Sequence, residues 1–172
     1  EDVSAYLRTG LAGLTPEETD TLENYVLLWS IRGGAWTRPE PWRQHPDGYG
    51  APDTDEAAAR LAEINDLRRR AADPLRLLGA ESHAAATAEA QAMALADFLE
   101  RLQLAQRLDT LAEDLRREGR GALAAEYAQL WELTVGALEQ FAAILGGTQM
   151  DADTFATLFL RMLSCYDIGT IP

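Results

Sequence analysis

Apolar side chains recur along this chain every three or four residues, the period of an α-helix with one buried face. Glycines, prolines and capping residues cut the repeat into segments. Val3, Tyr6 and Leu7 share one side of a short helix predicted from Asp2 to Thr9, with Gly10 as its stop. Thr15-Pro16-Glu17-Glu18 opens a second helix with an N-cap threonine, proline in the first turn and glutamate three residues after the cap. Leu22, Val26 and Trp29 continue it at helical spacing, Tyr25 and Leu28 widen the stripe, and Gly33-Gly34 are expected to end it. Residues 33–53 carry Pro39, Pro41, Pro46, Pro52, Gly48 and Gly50, too many breakers for a regular element. A loop of this length inside a compact domain is usually functional or disordered. Its aromatics, Trp36, Trp42 and Tyr49, imply that part of it packs against something.

Beyond the loop the helical period returns. Asp53 or Thr54 caps a helix whose face is Ala57, Leu61, Ile64, Leu67, Ala71, Leu75 and Leu78, with Pro74 expected to kink or divide it. Gly79 to Ala85 reads as a loop and Thr87 as the next cap. The following helix turns Leu95, Phe98, Leu99 and Leu102 inward and should break near Gln103. Leu104, Leu108, Leu111 and Leu115 carry another helix to Gly119-Arg120-Gly121.

The longest helix is predicted from Gly121, with a seam of Leu123, Tyr127, Leu130, Thr134, Ala137, Phe141 and Ile144. A second stripe through Trp131, Val135, Leu138 and Leu145 makes it the expected central helix, and Gly146-Gly147 stop it. Asp151 caps the last helix, with Met150 and Phe155 placed as a hydrophobic staple ahead of Leu158, Phe159, Met162 and Leu163. A strand could start only at 170–172, and no repeat of fixed period is present. The expected fold is all-α: one domain over 1–172, an irregular bundle of six to seven helices with one long Pro/Gly/Trp loop.

Composition narrows the function more than the fold. With 47% hydrophobic residues and a net charge of −13, the chain is of globular, soluble type. All fifteen basic residues are arginine, which excludes a phosphate-loop, Schiff-base or nuclease-motif lysine from this stretch. The acidic balance opposes non-specific nucleic-acid binding, so any such contact must be local. No apolar run suits a membrane span, and Glu1-Asp2-Val3 does not open a signal peptide. A single cysteine is compatible with a reducing compartment, and the cytoplasm is the expected location. The start without methionine and the ending Ile168-Gly169-Thr170-Ile171-Pro172 read as a piece of a larger protein.

Candidate chemistry is sparse. His45, His83 and Cys165 lack metal-ligand spacing; the histidines read as solvated and the thiol as buried and inert. Carboxylate pairs at Glu17-Glu18, Asp53/Asp55-Glu56 and Asp151/Asp153 all stand at helix starts, where capping accounts for them. Arg68-Arg69-Arg70 lies among Glu63, Asp66 and Asp73, so ion pairing within the helix is preferred over a phosphate contact. The loop differs. Arg32, Arg38 and Arg43 interleave with Trp36 and Trp42, the mix that base stacking and phosphate pairing need. Tryptophans plugging gaps between helices, with arginines stacked on them, is the preferred alternative.

The block Leu22-Glu23-Asn24-Tyr25-Val26-Leu27, then Trp29, Ile31-Arg32-Gly33 and Trp36, resembles the B subunit of the AddAB-type ATP-dependent helicase/deoxyribonuclease of bacteria. Tyr6-Leu7-Arg8-Thr9-Gly10-Leu11, Glu63-Ile64-Asn65-Asp66-Leu67-Arg68 and Tyr166-Asp167-Ile168-Gly169-Thr170-Ile171-Pro172 extend the resemblance in order, while the middle matches only as generic helix. Ser30 departs from it, standing where glycine is expected. The resemblance implies a non-catalytic helical domain inserted in the second motor domain of a helicase fold. The parent would process double-strand ends for recombinational repair, beside a helicase-nuclease A subunit and on DNA, with no membrane. ATP, Mg and an iron–sulfur cluster would be bound elsewhere in such a parent, and no cofactor in this stretch. The alternative is a free-standing acidic helical protein–protein interaction module.

Overall fold

The computed structural model describes residues 2–165, apart from the side chain of Asp2. The possible strand at 170–172 and the phrase Tyr166 to Pro172 lie outside the described residues. Seven α-helices and no strand occur among those residues, the all-α fold that the periodicity predicts. The helices are α1 (Asp2–Arg8), α2 (Pro16–Leu28), α3 (Asp55–Ala84), α4 (Ala88–Arg101), α5 (Leu104–Arg117), α6 (Gly121–Leu145) and α7 (Ala152–Leu163). No helix among the described residues is long and apolar enough to cross a membrane. The chain divides into two compact units, residues 1–76 and 77–172, each with its own hydrophobic cluster.

In the first unit, local signals place the helix starts well. Thr15 Oγ1 accepts the Glu18 N–H at 3.2 Å and the Glu18 carboxylate accepts the Thr15 N–H at 2.8 Å, the reciprocal cap that the sequence predicts. Thr54, rather than Asp53, accepts from the Ala57 N–H ahead of α3. The end of α2 comes earlier than Gly33. Ser30 takes a left-handed φ of 50°; its N–H reaches Leu27 O at 3.2 Å, and the Ile31 N–H reaches Val26 O at 3.0 Å. That pair of bonds is a Schellman close, with Ile31 and Val26 both in the core. Leu7, Leu22, Tyr25, Ile31, Ile64, Leu67 and Ala71 fill this core together with Trp36 and Trp42.

Helix α3 corrects three expectations. It runs thirty residues through Pro74, and Gly79 lies inside it rather than in a loop. It, not α6, is the longest helix. Proline costs a helix one bond and crowds one carbonyl, but the flanking turns carry the element on.

In the second unit α6 packs against α4, α5 and α7, the central role its two stripes predict. Left-handed Gln103 (φ 52°) separates α4 from α5 where the break is expected. Asp151 caps α7, and Met150 and Phe155 both enter the core. Phe141 meets Phe155 and Phe159 edge-on at 5.1 and 5.9 Å, while those two stack 5.5 Å apart. One antiparallel bridge, Thr87 with Gln149, ties the turn after α6 to the start of α4. Ile144, expected in the seam, is instead 68% exposed.

Candidate nucleic-acid interface

The loop after α2 is held in place by side chains of the helices on either side. Gly33–Ala35 make one 3-10 turn that carries Trp36 into the core. Trp42 lies between Tyr25, stacked at 5.4 Å and 15°, and the edge-on ring of Trp36 at 5.4 Å. Its indole N–H donates to Ala35 O at 2.9 Å. Asn65 on α3 reads the Trp42 backbone as a strand would: Oδ1 accepts the Trp42 N–H at 2.8 Å and Nδ2 donates to its carbonyl at 3.0 Å.

Arg68, one turn further along α3, completes the clamp. It is 5% exposed and forms no ion pair among the described residues. Its Nε and Nη1 donate to Trp36 O and Glu40 O, both at 2.8 Å, Nη2 donates to Arg38 O, and its Cζ lies 5.0 Å from the Trp42 ring centroid. Burial lowers its pKa from the ordinary arginine value. The expectation of ion pairing within the helix therefore holds for Arg69 alone of the three. Arg69 pairs with Asp66 at 3.1 Å; Arg70 reaches Glu18 on α2 at 2.6 Å and Gly13 O at 2.9 Å. Successive helical residues point about 100° apart, so a run of three faces core, solvent and neighbour in turn.

The far end of the loop hangs on Trp29 and His45. The Trp29 indole N–H donates to His45 O at 3.0 Å. The His45 ring accepts the Asp47 N–H at Nδ1 (3.1 Å), so Nε2 carries the hydrogen and donates to Pro52 O at 3.2 Å. His45 is half-buried, and its ring brackets the loop through both nitrogens. Cys165, expected to be buried, is exposed, and its thiol reaches Arg161 O at 3.4 Å.

Of the five residues singled out for contact, the two tryptophans are buried, at 6% and 7% exposure. Arg32, Arg38 and Arg43 are exposed and carry no ion pair among the described residues. Arg38 and Pro41 stand between two hollows. A groove of about 510 Å³ runs from them past the edge of Trp36 to Arg68, Arg69 and Arg76 on α3, and one of about 480 Å³ is bordered by Glu40 and Arg43. Arg32 borders neither. Asn65 and Arg76 are not singled out for contact by the sequence pattern, and Arg69 enters it only within the arginine triplet, where ion pairing is preferred over a phosphate contact. The available signal was two polar residues, Asn65 and Arg68, three apart at the edge of an apolar stripe.

No family model matches the chain. Curated relatives align with all of it. The B subunit of the ATP-dependent helicase/deoxyribonuclease of Clostridium botulinum (strain Loch Maree / Type A3) is 35% identical over 173 residues, that of Acetivibrio thermocellus 31% over 173, and that of Clostridium tetani 28% over 176. The chain spans about 15% of the length of each of these relatives.

Proposed function

Because the chain belongs with the B subunits of ATP-dependent helicase/deoxyribonucleases, as a relative of one segment of them, we propose that it works as a non-catalytic helical domain of such a protein. Its parent acts with an A subunit in the cytoplasm on broken DNA ends, in double-strand break repair by homologous recombination. ATP, Mg and an iron–sulfur cluster belong to other parts of that parent. The domain braces the motor domains or guides DNA past them.

The observation that carries this reading is kinship along the whole chain, in step with the clamp on the loop. Leu22 to Trp36, the stretch bearing the resemblance, supplies Tyr25, Trp29 and Trp36 to that clamp, and Glu63 to Arg68 supplies Asn65 and Arg68. Two of the resembling phrases thus meet in one built structure. A bracing role is further supported by apolar side chains on the first unit's surface. Leu27 and Leu28 are 73% and 50% exposed, and Tyr49 is 98% exposed beside Trp29, at 6.2 Å between rings.

The test is Arg68→Met in the complete parent protein paired with its partner. The change removes three donors but keeps the length of the side chain. Loosening the loop should lower ATP-driven unwinding while leaving nuclease activity on single strands in place. Wild-type unwinding, with the loop shown by proteolysis to be loosened, would remove the bracing and guiding role.

A further inference from the structure

The groove between the loop and α3 has the features of an anion site in a chain that is otherwise strongly acidic. From Trp29 to Pro46 there are three arginines and one carboxylate, Glu40. Arg38 projects from a backbone whose carbonyl is gripped by Arg68, so its root is fixed before any ligand arrives. Arg69 and Arg76 stand on the opposite wall. Their partners, Asp66 at 3.1 Å and Asp73 at 3.6 Å, are more than half exposed, and pairs of that kind are weak and readily exchanged. Beside them lies the buried guanidinium of Arg68, which forms no ion pair among the described residues; its field is screened less than that of a surface charge, and Asp73 and Glu40 offset part of it. Pro39, Pro41 and the edge of Trp36 give the rim flat apolar surface beside these charges.

The geometry points to this groove as a seat for the backbone of a single DNA strand, with phosphates on Arg38, Arg69 and Arg76 and a sugar or base against Pro39 and Pro41. It rests on the reading of the chain as part of a DNA-processing protein and gives that reading a contact surface. Guanidinium groups from two walls suit successive phosphates, and the apolar rim suits what lies between them. Asp73 faces the same groove and sets a limit on affinity, so binding should be weak and salt-sensitive.

The experiment titrates the 172-residue chain into a fluorescein-labelled oligodeoxynucleotide at low salt and follows anisotropy. Three changes together, Arg38→Ala, Arg69→Ala and Arg76→Ala, should weaken binding about tenfold or more and take about two units from the salt slope. The control removes equal charge elsewhere, by Arg116→Ala, Arg117→Ala and Arg120→Ala, and should shift binding less than about twofold. Circular dichroism verifies that both variants keep their helices. No binding at low salt, or an equal loss in the control, overturns the groove. Polyphosphate of the same charge competing as well as the oligonucleotide overturns the strand and leaves a plain anion site. If the groove fails while Arg68→Met still lowers unwinding in the complete parent, the bracing reading stands. If the groove binds but unwinding ignores Arg68→Met, that reading falls and the groove remains.

Discussion

Ser30 shows how one residue can carry a geometric requirement that the sequence states poorly. It occupies the left-handed position that closes α2, where a side chain costs about 1 kcal/mol and glycine costs little. The resemblance leads one to expect glycine at this point, and the left-handed turn accounts for that expectation. The same pair of bonds closes α5 around Gly119, at φ 79°. Ser30→Gly should therefore stabilise the chain by about 0.5–1 kcal/mol in urea unfolding, less what glycine adds to the entropy of the unfolded chain. Tyr25 gives a second prediction. Burial raises its phenol to about 12, and its hydroxyl donates to Gln44 O at 2.9 Å. A raised pKa contributes stability that is complete below the ordinary tyrosine value near 10 and is lost as pH climbs toward 12. Absorbance at 295 nm should show one tyrosine ionising late, and stability should fall through that window. In Tyr25→Phe the alkaline fall should shrink, while stability at neutral pH drops by about 1 kcal/mol for the lost hydrogen bond.

At the scale of elements, the loop of residues 36–54 owes its shape to the helices. It contains no regular hydrogen-bond ladder of its own; Asn65, Arg68, Tyr25 and Trp29 take its backbone groups one by one. Asn65 alone satisfies both the N–H and the carbonyl of Trp42. Asn65→Leu should leave these buried groups unpaired, at about 2–4 kcal/mol, and shift tryptophan emission to the red as Trp42 meets water. An unchanged emission maximum would mean that the aromatic packing alone holds the loop. The helix starts show the opposite balance. Thr15, Thr87 and Asp151 cap their helices with side chains three residues from the amide they accept, so short sequence suffices to find them. Helix ends and interruptions are less legible. Gly79 and Pro74 sit inside α3 because flanking turns outweigh one poor residue.

Over the whole molecule, helix caps and ion pairs hold several carboxylates below their usual range. Arg70 does so for Glu18, the backbone and Thr54 for Glu56, Arg101 for Glu81, and Thr154 for Asp151. A depressed pKa contributes stability that is present above the ordinary carboxylate value and lost as pH falls through the folded one. Unfolding midpoints should therefore hold from neutrality to about pH 4.5 and drop below it; Asp151→Asn, which keeps a capping oxygen, should soften the drop. The two clusters, one around Trp42 and Leu22 and one around Phe141, hold no residue in common. Period, caps and breakers, all set by neighbours within a turn or two, determine by themselves that this chain is helical, where most helices begin and which faces are apolar. Tertiary structure alone decides that Trp36 and Trp42 are buried in the core, that Arg68 is a clamp and that Arg38, Arg69 and Arg76 share a groove. Those facts depend on contacts between residues some thirty positions apart, and a loop with no period of its own records no such partners in its local sequence.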